Sequence, residues 1–192
     1  MKEILDRRPI VVVLAGPNGA GKTSFYRTYL MAAGLRFVNA DALALELGVD
    51  AYRAAQLADG VRRQLIEQRE SFIFETVFSD PVGDKIGFLK EAESLGYAVA
   101  LLFIGIDSEE LSDQRVAMRV SKGGHDVPAD KIVERYARVM RNLQRALVQL
   151  ANVRVYDNSD LKNEYRLVAV KQDGGPVAVL EPVPAWLRGL LP

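Results

Sequence analysis

Apolar positions along the chain fall into two rhythms. Short unbroken runs of strand length, rich in β-branched residues, recur at 10–15, 36–39, 71–75, 97–106 and 153–156. Between them lie stretches in which apolar residues return every three or four positions, at 23–33, 42–48, 51–69, 81–95, 108–122 and 129–150. Unbroken apolar strands suit a sheet buried on both faces, and helical segments between strands suit parallel crossovers. The pattern predicts an α/β fold, a three-layer sandwich of helices around a parallel sheet. Punctuation marks the boundaries. Asp80-Pro81 reads as the cap and first residue of a helix, and Asp107 with Glu110 has the capping-box spacing. Gly123-Gly124 ends one helix and Pro128 opens the next. After Ser159 the rhythm changes: 165–171 and 177–180 alternate around Gln172-Asp173-Gly174-Gly175, which predicts a C-terminal β-hairpin, and a short amphipathic tail follows at 185–191. No repeat or linker interrupts the pattern, so 1–192 is expected to be one domain, with 160–192 as its hairpin and tail.

The first strand runs directly into Gly16-Pro17-Asn18-Gly19-Ala20-Gly21-Lys22-Thr23, a G-x-x-x-x-G-K-T sequence between a strand and a helix. In that context it predicts a phosphate-binding P-loop. A glycine-rich turn lets successive backbone N–H groups converge on phosphate oxygens, and the helix that follows adds its positive end. Residues 16–24, ending in Ser24, are the expected nucleotide-binding set. Within it Lys22 is placed to reach the β- and γ-phosphates and Thr23 to ligate Mg²⁺ through its hydroxyl. ATP and Mg²⁺ are the expected cofactors.

Charge and composition narrow the partners. Lys and Arg total 25 and Asp and Glu total 25, so no net field draws the chain to nucleic acid or to an acidic membrane. There is no cysteine for a disulfide, thiolate or thiolate metal site. The apolar run at 97–106 is too short to cross a bilayer, and MKEILDRRPI lacks the apolar core of a signal peptide. The expectation is a cytoplasmic protein.

Other P-loop classes leave marks that are missing here. The guanine-reading N-K-x-D sequence does not occur, since Asp157-Asn158 and Asn158-Ser159-Asp160 lack the lysine, and Asp80-Pro81-Val82-Gly83 matches D-x-x-G only by a short, common pattern. The strand at 97–106 ends in Gly105-Ile106-Asp107 rather than in adjacent acidic residues, and glycines at 16, 19 and 21 do not fit G-x-G-x-x-G. A small phosphotransferase remains. Such an enzyme needs a carboxylate at the acceptor hydroxyl, cations around the moving phosphoryl group, and a cover against water. Asp41 follows the second strand, whose carboxyl end lies beside a P-loop in a doubly wound sheet, and reads as a catalytic base or as the cap of the helix at 42–48. Glu75 emerges from the apolar run Phe72-Ile73-Phe74, either as a functional carboxylate or as a paired strand end. Arg115, Arg119 and Lys122 form one helical stripe ahead of Gly123-Gly124-His125, which predicts a helical lid over about 108–128. His125 reads equally as a ligand contact or as a turn residue. On the next helix Ile132, Tyr136, Val139, Leu143, Leu147 and Leu150 make the core face, flanked by Arg135 and Asn142. Arg119 and Arg135 are the expected phosphate contacts; Arg138, Arg141 and Arg145 fit a solvated face.

The P-loop, Asn39-Ala40-Asp41, Phe74-Glu75-Thr76, the segment 115–128 with its Gly-Gly-His-Asp-Val-Pro, and Tyr156-Asp157-Asn158-Ser159 together resemble the zeta-toxin family of small P-loop kinases. The resemblance runs from about Val11 to Ser159. It implies ATP-dependent phosphorylation of a hydroxyl on a sugar-nucleotide, UDP-N-acetylglucosamine. It also implies that Lys22 binds phosphate, Asp41 is the base, Glu75 and Thr76 lie at the acceptor, and Arg119 and Arg135 hold the transferred group. Toxins of the family carry Glu-Gly-Thr and then an arginine where this chain has Glu75-Thr76-Val77-Phe78-Ser79, so the grip on the acceptor differs. Any antitoxin is expected to be a separate chain. The other readings of these residues are a kinase for another small metabolite or nucleoside, and a nucleotide-dependent binding module that docks a partner through the late hairpin.

Overall fold

The computed structural model describes residues 2–120 and 129–192, apart from the side chains of residues 2, 119, 120 and 129–131. Its centre is a seven-stranded sheet. In chain order the strands are β1 (Ile10–Ala15), β2 (Arg36–Val38), β3 (Phe72–Thr76), β4 (Ala98–Gly105), β5 (Val153–Asp157), β6 (Arg166–Lys171) and β7 (Ala178–Val179), in the spatial order β2-β3-β1-β4-β5-β6-β7. Pairings from β2 through β5 are parallel, and β6 and β7 add antiparallel. The predicted hairpin is therefore present, and it extends the main sheet instead of standing apart from it.

Alternation along the strands divides the core into two layers. Val11, Val13, Phe72, Phe74, Leu101 and Phe103 face one side. They meet Ala58 and Leu65 of α4 (Ala51–Glu67), Ile86 and Leu89 of α5 (Asp84–Ser94), Leu143 and Leu147 of α7 (Ala129–Gln149), and Leu187 of α8 (Ala185–Arg188). Val12, Leu14, Ile73, Leu102 and Ile104 face the other side, against Ile4 of α1 (Lys2–Leu5) and Phe25 and Leu30 of the helix after the P-loop. Both faces of each central strand are covered, which is why these strands read as continuous apolar runs. Two further helices, α3 (Ala40–Leu47) and α6 (Glu109–Val120), follow β2 and β4 and border the carboxyl edge of the sheet.

Several boundaries differ from the pattern for identifiable reasons. The helix at 23–33 begins as α2 (Lys22–Phe25), widens to a π-helical turn at Tyr26–Leu30 and ends as a 3₁₀ turn at Met31–Ala33. Phe25 and Leu30, five positions apart, are both fully buried, and the wider turn brings both onto the sheet. Asp80-Pro81 does not start α5. Its N-cap is Gly83 at φ 88°, because Asn142 holds the carbonyl of Asp80 at 2.8 Å and keeps the preceding loop out of helical form. Ser108, not Asp107, caps α6, accepting from the Leu111 N–H at 3.3 Å. The Gly123-Gly124-His125 turn, Lys122 and Pro128, and with them the centre of the expected lid, lie outside the described residues.

Candidate active site

β1 sits between β3 and β4, so its carboxyl end opens at the switch point of the sheet, where ligands bind in this architecture. The loop from Gly16 to Lys22 turns there under close constraint. Gly16 has φ 146°, and a Cβ on it would meet the Ile104 carbonyl oxygen at 2.1 Å, so only glycine fits against β4. Gly21, at φ 89°, lies against the Asn158 amide and the Tyr165 hydroxyl. Three side chains hold the loop's carbonyls: the Ser112 hydroxyl donates to Asn18 at 2.6 Å, the Asn158 amide to Ala20 at 2.9 Å and the Tyr165 hydroxyl to Gly21 at 3.0 Å. The Lys22 ammonium, on a residue only 7% exposed, donates to the Gly16 and Pro17 carbonyls at 2.9 and 3.0 Å.

The register of β1 with β3 sets Leu14 beside Glu75 and Ala15 beside Thr76, which carries Glu75 to the mouth of the loop. One Glu75 oxygen accepts from the Thr23 hydroxyl and from the Asn39 amide, each at 3.0 Å. Glu75 is thus in direct contact with the expected Mg²⁺ ligand. Hard oxygen donors of this kind, a hydroxyl and a carboxylate, fit a magnesium ion that arrives with a nucleotide. Among the described residues no group of three or more His, Cys, Asp or Glu forms a metal site of its own. Asn39 also caps α3, its side-chain amide oxygen Oδ1 accepting from the Ala42 N–H at 3.0 Å. The cap reading of Asp41 is therefore corrected: Asp41 lies in the first turn of α3, exposed and on the wall of a cleft.

That cleft, of about 350 Å³, runs from Asn18, Gly19 and Lys22 past Asn39, Asp41, Glu75 and Thr76 to Arg135. It brings together Lys22, Asp41, Glu75, Thr76 and Arg135. Arg119 belongs to α6, and its side chain lies outside the described residues. Arg115, from the same predicted stripe, is engaged elsewhere: it donates to the carbonyls of Asn158 at 2.8 Å and Ser159 at 3.1 Å, and burial pulls its pKa down. Asn142 reaches inward as expected, but to the loop after β3, donating to the carbonyls of Phe78 at 2.9 Å and Asp80 at 2.8 Å.

The far wall carries Asp59, Arg62, Asp80 and Lys85, the first three from the helix at 51–69 and the loop at 77–83, the segments expected by chain order to contact the acceptor, though none of the four was singled out as a site residue. Arg62 is 5% exposed, lies over the Phe74 ring at 4.7 Å and pairs with Asp59. Burial, with Arg63 nearby, lowers its pKa to about 10, so it remains a cation at neutral pH. Lys85 bonds the same Asp59 oxygen at 3.0 Å, and burial beside Arg62 lowers its pKa too. The signal for Arg62 was available. With Ala54, Ala58 and Leu65 it occupies the buried face of α4, and a charge in such a stripe is rarely ornamental. Asp80 has no such signature, because its loop has no period.

The model of the family described as zeta toxin matches residues 48–167. The chain belongs to the zeta-toxin family. The matched segment starts after the P-loop and Asp41, so those residues rest on the geometry above. An uncharacterised protein of Haemophilus influenzae is 28% identical over 130 residues, 65% of this chain and 91% of that one. Among solved structures, the fold resembles a chain of the AvrRxo1-ORF1:ORF2 complex crystallised with ATP, with a TM-score of 0.72 and 21% identity over 92% of this chain. This chain spans 63% of the length of that one. It also resembles a chain of the PezAT chromosomal toxin-antitoxin system of Streptococcus pneumoniae, with a TM-score of 0.62 and 18% identity over 85% of this chain and 72% of that one. At these identities the shared property is the fold. No helix among the described residues is long and apolar enough to cross a membrane.

Proposed function

We propose that this zeta-toxin family member is an ATP-dependent phosphotransferase acting on a hydroxyl of a small molecule. The observation that carries the reading is the single cleft that joins Lys22 and the loop glycines to Asp41, Thr76 and Arg135, with Thr23 and Glu75 hydrogen-bonded at its mouth. The P-loop amides and Lys22 hold the β- and γ-phosphates. Thr23 and Glu75 are the residues that would hold a magnesium ion, which would screen charge on the phosphates. The acceptor hydroxyl lies against Asp41, across the γ-phosphate from the loop. Its proton passes to the Asp41 carboxylate as its oxygen bonds to the γ-phosphorus. The bond to the β,γ-bridging oxygen breaks, and ADP leaves with that electron pair. Arg135, with Arg119 from the lid, holds the charge that builds on the moving group. The contact of Glu75 with Thr23 supports a role on the metal side of the phosphates for a residue that the resemblance puts at the acceptor.

UDP-N-acetylglucosamine, the sugar-nucleotide that the family resemblance implies, is the first acceptor we propose, and an antitoxin-type chain the first partner. Incubation with ATP–Mg²⁺ and a panel of hydroxyl compounds that includes it should yield a product heavier by one phosphate. Asp41→Asn should slow transfer by about 10²–10⁴-fold while ATP affinity stays within a few-fold. Full transfer activity in Asp41→Asn would reduce that residue to a first-turn carboxylate of α3.

A further inference from the structure

A phosphate-binding loop works only if its N–H groups converge on the phosphates. In a trans peptide the N–H and the preceding carbonyl point opposite ways, so the carbonyls must turn outward, where something has to receive them. Asn18, Ala20 and Gly21 each give their carbonyl to a side chain from outside the loop: Ser112, Asn158 and Tyr165. The Asn158 bond to Ala20 therefore aims the Gly21 N–H, and the Tyr165 bond to Gly21 aims the Lys22 N–H. Both of these supports come from the segment that joins β5 to β6.

Asn158 is itself held from every side. It is 4% exposed, its N–H donates to the Gly105 carbonyl at 2.9 Å, and its side-chain oxygen accepts from the Tyr165 N–H at 3.3 Å. Its carbonyl accepts from Arg115. The carboxylate of the residue before it, Asp157, shapes the turn. One oxygen accepts from the Ser159 N–H at 3.2 Å, the Ser159 hydroxyl at 2.6 Å and the Trp186 indole N–H at 3.1 Å. The other accepts from Arg166 at 3.1 Å, and Arg166 also donates to the Pro182 carbonyl. Both oxygens are thus tied to the C-terminal tail, one directly and one through β6.

The seat of Trp186 explains a glycine in the middle of the sheet. Gly105 is the β4 residue paired with Asp157, and a Cβ on it would lie 2.2 Å from the indole ring. Its backbone is outside the left-handed region, so no conformation demands glycine there; the ring does. Any side chain at Gly105 would push the indole off Asp157.

Resting on the phosphotransferase reading, we infer that Trp186 is a positioning residue for the nucleotide. Through Asp157 it holds the turn that carries Asn158, and through Asn158 it aims a loop N–H at phosphate. Packing alone needs only the ring, whereas the tie to Asp157 needs the indole N–H. Without that donor the turn at 157–159 gains freedom, and ATP meets a loop whose N–H groups must be ordered as it binds.

The test measures the ATP–Mg²⁺ dissociation constant by calorimetry on the whole chain. Trp186→Phe keeps an aromatic ring over Gly105 and removes the N–H; it should raise the dissociation constant by about 2- to 10-fold. Ile86→Val, in the buried face of α5, is the control for lost stability and should leave the constant unchanged. In an Asn158→Ala background Trp186→Phe should weaken ATP binding no further, because the path runs through Asn158. If Asn158→Ala does not fold, Trp186→Phe against Ile86→Val still decides the assignment. An unchanged constant in Trp186→Phe, an equal rise in Ile86→Val, or a full further effect of Trp186→Phe on Asn158→Ala would each overturn it. A wild-type chain that binds no ATP would instead remove the phosphotransferase reading on which it rests.

Discussion

At the scale of single residues, glycines separate where the backbone needs the space from where it merely tolerates it. A Cβ at Gly16 would lie 2.1 Å from the Ile104 carbonyl oxygen, a backbone atom that cannot step aside without shifting β4. Gly16→Ala should therefore lower stability by about 1–3 kcal/mol and impair nucleotide binding. Gly60 lies inside α4 with nothing within 4 Å of its added Cβ. Gly60→Ala should raise stability by about 0.4–1 kcal/mol, since alanine loses less backbone freedom on folding. Urea unfolding of both variants reads the contrast directly. Legibility at this scale follows the same division. The glycines after β1 carry their geometry in their identity, and Gly16, Gly19 and Gly21 all take positive φ, so that turn was legible in the sequence. Asp80 was not, although its loop at 77–83 was expected beside the acceptor, because a lone aspartate in an aperiodic loop gives no sign that its oxygens are buried and, among the described residues, unpartnered.

At the scale of elements, the loop between β3 and α5 depends on α7 for its shape. Asn142 is 2% exposed and donates to two carbonyls of that loop. Asn142→Ala should cost about 1–3 kcal/mol, because two buried carbonyls lose their donor. It should also raise the acceptor KM while ATP affinity holds, since the P-loop has its own supports in Ser112, Asn158 and Tyr165. Equal losses of acceptor and ATP binding would mean that the loop and the P-loop move as one. Element existence was legible, because apolar runs and three-to-four spacing follow from burial; Ile132, Val139, Leu143 and Leu147 of α7 and Leu150 just after it are buried as their spacing predicts, while Tyr136 of the same predicted face is half-buried. Element ends were less so. The start of α5 is set by a hydrogen bond from α7, and the π-helical turn after α2 by two buried side chains meeting one sheet face. Both are tertiary effects that a local pattern does not contain.

At the scale of the whole molecule, the C-terminal part continues the sheet and packs against the end that carries the P-loop. β6 and β7 continue the sheet from β5, and the Trp186 ring packs where Gly105 leaves room for it. Its indole N–H donates to Asp157 at 3.1 Å, next to Asn158, whose amide holds the P-loop carbonyl of Ala20. The tail is thus linked through two residues to the glycine-rich loop after β1, a connection between segments far apart in sequence. The account as a whole stands on that loop receiving ATP. The most direct measurement is the melting temperature of the wild-type chain and of Lys22→Ala with and without ATP–Mg²⁺. At a hundredfold excess over Kd, wild type should gain roughly 2.7 kcal/mol. For a chain of this length that is a rise of about 5–11 °C. Lys22→Ala should lose most of the gain. A wild-type melting temperature unmoved by saturating ATP–Mg²⁺ would contradict the account.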